Sequence, residues 1–524
     1  MEISPIELVL GLLVVAVALG YVARRIGVAY PILLLLGGLV LGFLPGLPEI
    51  QLDPNLVFLL LLPPILFGAG YSTPIRDFKA NARPIALLAI GLVLFTTIVV
   101  GLVAQVAIPG LPAAAAFALG AIVAPPDAVA ATAVFRRLGV PPRVVTILEG
   151  ESLVNDATAI TLYGIAINAA LYGTFSAAGA SVSFVFIGLG GIIVGLVVGL
   201  IVTEAWRRTN DPTLEIMVSL LAPFAAYLPA EALHVSGVLA TVVAGLIAGR
   251  RAARTLSPSA RLMGTGVWNI VIYTINGFAF LLIGLQLPAI ARQLTAYTGV
   301  ELATWAIVIS ATVILARILW VFPATYLPRT LSAKVRARDP SPPPEAVFVI
   351  AWAGMRGAVS LAAALALPLD PKPFPDRDLV IFLTFCVIVA TLVGQGLTLP
   401  YIVRRLGVMA VSGPNAEETR ARLAATEAAL GRLADLENQY PTHKPLIENL
   451  RTRYEHEASH SGPEGEGPRD EEELELLEHK EIRDAVLEAQ REAVIALRDD
   501  GIIGDEILAE IQRDLDLEAL RTGA

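Results

Sequence analysis

Three short segments set charged residues inside otherwise apolar stretches, and they carry most of the chemistry this sequence can do. They are Ala124-Pro125-Pro126-Asp127, Glu149-Gly150-Glu151-Ser152-Leu153-Val154-Asn155-Asp156 and Trp352-Ala353-Gly354-Met355-Arg356-Gly357. A further arginine, Arg317, lies alone in an apolar run. An ionisable side chain at the middle of a bilayer costs about 2.5–3.5 kcal/mol on insertion scales, so each of these residues needs a physical reason to be there. Pro125 and Pro126 lack backbone N–H groups, and their rings clash with the carbonyls of Ala121 and Ile122, which predicts an interrupted helix. The carbonyls freed by such a break can face only protein or a watery cavity.

On a helix through the second segment, Ser152 and Asp156 are four apart and share a face, and Glu151 and Asn155 form the neighbouring stripe. Asp127, Ser152 and Asp156, with carbonyls from the break, make an oxygen-rich set without Cys or His, the chemistry that hard cations prefer. Arg356 is expected to partner one of the carboxylates, because an unpaired buried guanidinium is costly. The competing reading is a purely structural network of buried ion pairs. Arg317 and Glu149 read equally well as structural or interfacial, and Glu204 and Glu215, near the ends of apolar runs, are expected to be solvated.

The elements that must hold these groups follow from composition. The chain of 524 residues is 55% hydrophobic and 16% charged, with mean hydropathy +0.69. That is far from the ~25% charge of a soluble domain and indicates an all-α polytopic membrane protein. A single cysteine, Cys386, excludes an intrachain disulfide and a Cys-based zinc site. Apolar runs of about 20 residues can cross a bilayer. About thirteen candidates lie near 5–23, 28–45, 55–72, 84–107, 111–135, 144–172, 182–205, 213–230, 234–249, 264–287, 300–327, 346–367 and 379–400. The first begins too close to Met1 for a signal peptide's basic region and is read as a retained helix.

Basic residues crowd one set of loops, among them Arg24, Arg25, Arg136, Arg137, Arg250, Arg251, Arg336, Arg404 and Arg405, whereas the opposite loops hold only Arg292, Lys372 and Arg377. The positive side is cytoplasmic. An odd number of spans then puts the N-terminus outside and the C-terminus inside. Spans five and twelve, the two with break signals, run oppositely and sit seven spans apart, the placement of an inverted repeat of spans 1–6 against 8–13. Residues 1–405 are therefore read as the transmembrane domain and 406–524 as a cytoplasmic tail. Residues 1–410 carry 25 Lys and Arg against 19 Asp and Glu, and residues 411–524 carry 13 against 28. The acidic tail is mostly helical in pattern, including 417–440 with Leu423, Leu430 and Leu433 on one face and charged helices over 471–521. A Gly/Pro-rich linker interrupts it near 459–470. Its charge argues against nucleic acid as a partner and suggests contact with the arginine-rich cytoplasmic loops or with a regulator.

At these residues the sequence resembles the monovalent cation:proton antiporter-1 family, the sodium/proton exchangers. The matching segments are Leu62-Pro63-Pro64-Ile65-Leu66, Pro126-Asp127, Gly150-Glu151-Ser152-Leu153-Val154-Asn155-Asp156-Ala157 and Gly354-Met355-Arg356-Gly357-Ala358, in this order over about 400 residues. The resemblance implies a sodium/proton antiporter-like fold with interrupted crossing helices, and a homodimer in which a six-helix core moves against a dimerisation domain. It implies that Asp156 is the main ion-binding carboxylate, Asp127 a second ligand or support, and Ser152 a ligand. Glu151 would pair with Arg356. Asn155 stands where members exchanging one cation for one proton carry asparagine. Many members have Thr at the position of Pro126 and Pro at that of Ala128, so Pro126 can offer a ligand only through its backbone carbonyl.

The expected function is secondary antiport of Na⁺ (or Li⁺ or K⁺) against H⁺ across the plasma membrane, without cofactor and without enzymatic activity. No G-x-x-x-x-G-K-[ST] sequence occurs, which argues against an ATP-driven pump. The rivals are a K⁺/H⁺ exchanger of the same fold and, from other classes, a cation channel or a membrane sensor with a signalling tail.

Overall fold

The computed structural model describes residues 5–44, 54–173, 177–209, 211–368, 373–409 and 416–460, with 485–490, 492–497, 500, 502, 507, 511–512, 514–515 and 517–518. The described residues are helical, with no strand. This is the outcome expected of apolar segments in lipid, where a helix satisfies its own backbone groups. The chain divides into two compact units, Met1–Ala410 and Val411–Ala524.

In the first unit every expected apolar segment falls on helix. Eight stretches among the described residues are long and apolar enough to cross a membrane by themselves: Val9–Ile26, Ala82–Ala107, Ala113–Leu138, Ser181–Arg208, Pro212–Ala232, Pro258–Arg292, Gly299–Leu331 and Arg377–Leu406. The other segments are short (Tyr30–Gly42), carry more charge (Pro142–Tyr172, Gly237–Thr255) or are split in two (Pro344–Trp352 and Ala358–Leu365). Against the expected count of about thirteen, eight among the described residues are long and apolar enough by themselves, and the other segments are too short, too polar or interrupted.

Two packing modes organise this unit. The helix Ala177–Arg208 turns Val182, Phe186, Leu189, Ile193, Val197 and Ile201 outward, all well exposed, and only 22% of its apolar window is buried. Such a surface is stable in lipid and not in water. Inside, small residues let backbones approach. A Cβ on Gly38 would meet the carbonyl oxygen of Leu281 at 2.0 Å, and one on Gly284 would meet that of Leu35 at 2.1 Å. These two glycines lock the helices Tyr30–Gly42 and Pro258–Gln293 together, as small residues do between membrane helices. The largest apolar cluster surrounds the split helices and includes Leu119, Val123, Phe280, Ile309, Leu383, Phe385 and Val387.

Glu215 departs from expectation. It is 1% exposed, and its Oε2 accepts from both the N–H and the hydroxyl of Ser257 at 2.9 Å, beside the start of Pro258–Gln293. A carboxylate that satisfies the first donors of a helix can be buried where a free one could not. Glu204 is exposed and pairs with Arg208 at 2.9 Å.

In the second unit, helix Ala416–Gln439 covers the expected 417–440, and Leu433 is buried. It packs with Lys444–His460, where Arg451 reaches Glu437 at 2.6 Å. The linker expected near 459–470, beyond His460, and most of the charged helices over 471–521 lie outside the described residues.

Candidate functional site: two crossed helix breaks beside a carboxylate cavity

The helix Ala113–Val123 stops at Ala124-Pro125-Pro126-Asp127 and resumes as Ala128–Leu138. The helix Pro344–Trp352 stops at Ala353-Gly354-Met355-Arg356-Gly357 and resumes as Ala358–Leu365. A backbone hydrogen bond ties the two breaks: the Asp127 N–H donates to the Met355 carbonyl at 2.7 Å. Four half-helix ends therefore meet in one place. Helix N-termini carry partial positive charge and C-termini partial negative charge, each about half an elementary charge.

One acidic and one basic side chain answer those ends. Asp127 is the N-cap of Ala128–Leu138, its Oδ1 accepting from the Val129 N–H at 2.8 Å. Its other oxygen lies against the start of the second half-helix, since a Cβ on Gly357 would fall 1.8 Å from Asp127 Oδ2. Gly357 is required there by space. Arg356 does the opposite work. Its Nε donates to the Val123 carbonyl at 2.9 Å, Nη2 to that of Ala124 at 3.3 Å and Nη1 to that of Gly354, while its own N–H donates to Thr391 Oγ1 at 3.1 Å. A fully buried guanidinium is satisfied by carbonyls that the breaks leave without helical partners.

The expected Glu151–Arg356 pair is replaced by another. Arg317, on the continuous helix Gly299–Leu331, grips Glu151 with two prongs, Nη1 to Oε1 at 2.5 Å and Nη2 to Oε2 at 2.8 Å. Arg317 also donates to the Ile350 carbonyl from Nε at 3.3 Å and Nη2 at 3.2 Å. Gly354 makes room for it, because a Cβ there would meet Arg317 Cδ at 2.2 Å. The physical reason is a competition for donors. Arg356 sits inside a break and is claimed by orphan carbonyls, and the arginine on an unbroken helix is left for the carboxylate.

A cavity of about 250 Å³ opens beside the breaks. Asp127, Ser152 and Asp156 line it together, the last two from one helix face as their spacing predicts, and so does Pro126. The carbonyl of Pro126 is already engaged, accepting from Asn155 Nδ2 at 2.9 Å, and Asn155 is buried behind it. Glu149 lines the same cavity and pairs with Arg136 at 2.9 Å. Neutral groups missed by a search for charges also face it: Tyr30, Thr132, Asn276 and Ser360. Asn276 Nδ2 and Ser360 Oγ are buried without a hydrogen-bond partner. The only signal for Asn276 was an amide inside the apolar run Ile270–Phe280. Ser360 follows the second break by three residues, which is a weak cue. Among the described residues no three His, Cys, Asp or Glu are grouped closely enough to hold a metal ion, and this cavity presents the carboxylates of Asp127, Asp156 and the Arg136-paired Glu149 together with neutral oxygens.

Membrane helices broken at a shared crossing, with carboxylates and neutral oxygens facing a cavity there, define a secondary ion transporter. The chain belongs to the sodium/hydrogen exchanger family, whose transmembrane family description matches residues 11–405. It is 35% identical over 520 residues to an uncharacterized Na⁺/H⁺ exchanger of Mycobacterium tuberculosis, covering 97% of this chain and 95% of that one. It is 37% identical over 380 residues to a sodium, potassium, lithium and rubidium/H⁺ antiporter of Bacillus pumilus, covering 70% of this chain and 56% of that one. The fold is similar to that of a sodium proton antiporter from Methanocaldococcus jannaschii, with TM-score 0.61 and 22% identity over 77% of this chain and 98% of that one.

Proposed function

We propose that this protein exchanges Na⁺ for H⁺ electroneutrally, with Asp156 taking a cation or a proton in competition. The observation that carries the reading is the shared cavity of Asp156, Asp127 and Ser152 beside two crossed breaks. Asp156 is 6% exposed, and a bare carboxylate in such a place is costly. A bound cation or a proton removes that cost, so either loaded form can cross the membrane barrier while the empty form cannot. Asp127 and Ser152 complete the cation's oxygen shell. Because Asp127 also caps a half-helix, cation binding is linked to the geometry of the breaks. The Pro126 carbonyl supports the site through Asn155. Glu151, Arg317 and Arg356 hold the crossing in place and touch no ion.

The remaining parts of the reading rest on the loop charges and on the family to which the chain belongs. Residues 1–405 form the transport domain and 406–524 a tail whose loss leaves exchange in place. The protein acts in the plasma membrane as a homodimer whose core moves by an elevator-like mechanism. The arginine-rich face, the C-terminus and the tail are cytoplasmic, and the N-terminus is outside. No cofactor takes part. The name of the Bacillus pumilus relative supports a second reading in which K⁺, Li⁺ or Rb⁺ replaces Na⁺.

The test is exchange by purified protein in liposomes, read by a pH-sensitive dye with Na⁺, Li⁺ and K⁺ in turn. Asp156→Asn keeps the shape of the side chain and loses its charge, so exchange should vanish while the melting temperature holds. Normal exchange by that variant refutes the mechanism. Currents without proton movement would instead indicate a channel.

A further inference from the structure

A second cavity, of about 600 Å³, lies away from the carboxylate site and is lined by Arg83, Arg143 and Arg329. We propose that it binds the phosphate headgroup of an anionic phospholipid. The three arginines come from different helices and converge on one carboxylate. Asp339 accepts from Arg83 Nη2 at 2.7 Å, Arg143 Nη2 at 2.5 Å and Arg329 Nη2 at 2.7 Å. Asp339 itself does not line the cavity. It holds the three guanidiniums together and neutralises one of their three charges, and among the described residues Glu345 is the one acidic group on the wall. An arginine has five N–H donors, and a planar fork of this kind matches phosphate oxygens. Arg83 Nε is buried and has no partner. Arg143 Nε is fixed by Asn81 Oδ1 at 3.0 Å, so that guanidinium is already oriented.

The rest of the cavity decides what kind of phosphate fits. Its inner walls are apolar, with Leu88, Val321 and Ile350 among them. A free inorganic anion gains nothing from such walls, whereas the glycerol and first methylenes of a lipid do. The surroundings expose apolar side chains. Leu331, two residues beyond Arg329, is 78% exposed, and Met409 on the cavity rim is 49% exposed. Apolar side chains exposed beside arginines mark the boundary between hydrocarbon and headgroups, and basic pockets between helices at that boundary take anionic lipids. The volume lies within the ~300–1,000 Å³ usual for small-ligand sites.

The experiment uses the full-length protein in detergent. Thermal unfolding and native mass spectrometry are followed with added phosphatidylglycerol, phosphatidylcholine, inorganic phosphate, or a peptide of residues 470–478. The expected result is a saturable rise in melting temperature and about one retained lipid per chain with phosphatidylglycerol alone, by the mass action of a ligand that binds only the folded state. Arg83→Gln leaves Asp339 two arginines and should raise the half-saturating lipid concentration about tenfold, the worth of one charge-assisted hydrogen bond. Arg83→Lys should recover part of that loss. The proposal is overturned if phosphate or the acidic peptide produces the shift as well as the lipid does. It is equally overturned if phosphatidylcholine matches phosphatidylglycerol, or if a folded Arg83→Gln protein binds lipid like the wild type. None of these readouts depends on ion exchange.

Discussion

Arg317 and Glu151 form a two-pronged ion pair, with oxygen–nitrogen distances of 2.5 and 2.8 Å and side chains 0% and 1% exposed. Removing one partner of such a pair strands a buried charge and costs about 3–5 kcal/mol. Glu151→Ala and Arg317→Ala should each lower the melting temperature strongly, and the double variant should lose much less than the sum. Glu151 and Arg356, whose guanidinium donates to carbonyls and meets Glu151 only through charge, should show a smaller coupling than Glu151 with Arg317. A thermal-unfolding double-mutant cycle on both pairs checks this, and stronger coupling to Arg356 would reverse the assignment.

Gly357 bounds the proposed ion site through its missing side chain. A methyl group there must displace the Asp127 carboxylate, which is 1.8 Å away from the added carbon. Gly357→Ala should therefore weaken apparent cation affinity by about tenfold or more, since a donor or ligand displaced from a charged group costs roughly 1.5–3 kcal/mol. Gly394→Ala serves as the control, because nothing lies within 4 Å of its added carbon. Equal cation affinities for the two variants in liposome exchange would show that Asp127 does not hold the ion.

Asn155 bears on charge balance. Its amide donates to the Pro126 carbonyl at 2.9 Å, so it braces the first break and adds no ionisable group. One cation should then exchange for one proton. An imposed membrane potential should leave the reversal point of exchange where the two ion gradients alone put it. A shift in proportion to the applied voltage would mean a net charge moves in each cycle.

Asp339 supplies a pH signature outside the spans. Burial pushes its carboxyl up, but hydrogen bonds and charge from Arg143 and Arg329 outweigh burial and hold it below the ordinary 3.8. A carboxylate with a depressed folded-state pKa stabilises the protein above its unfolded pKa, and that contribution is lost as pH falls through the folded value. Asp339→Asn should lower the melting temperature at neutral pH. The gap to the wild type should narrow only below about pH 4. A gap that stays constant down to pH 3 would show that the aspartate's charge is not what holds the three arginines.

Much of this protein could be read from residue types in order along the chain. Pro125-Pro126 can only break a helix, because no N–H is there to donate. Ser152 and Asp156 must share a helix face, because 3.6 residues make a turn. Apolar runs near 20 residues must be helices, because lipid offers the backbone no other partner. These constraints are local, and the split helices, the cavity-facing Asp127, Ser152 and Asp156, and the apolar shell agree with them. Partner choice is a different matter. Glu151 had two buried arginines to choose from, and only the placement of carbonyls from two distant breaks shows why Arg356 is occupied and Arg317 is free to pair. Glu215 looked like a solvated end residue until Ser257, 42 residues on, supplied its donors. Tyr30, Asn276 and Ser360 carry no charge to announce them and reach the cavity from three separate helices. Arg83, Arg143 and Arg329 are unremarkable loop-end arginines in one dimension, and it takes the folded chain to bring them onto Asp339. Hydrogen bonds and ion pairs are satisfied through space, so the sequence determines which groups need partners and the tertiary structure determines which partners they get.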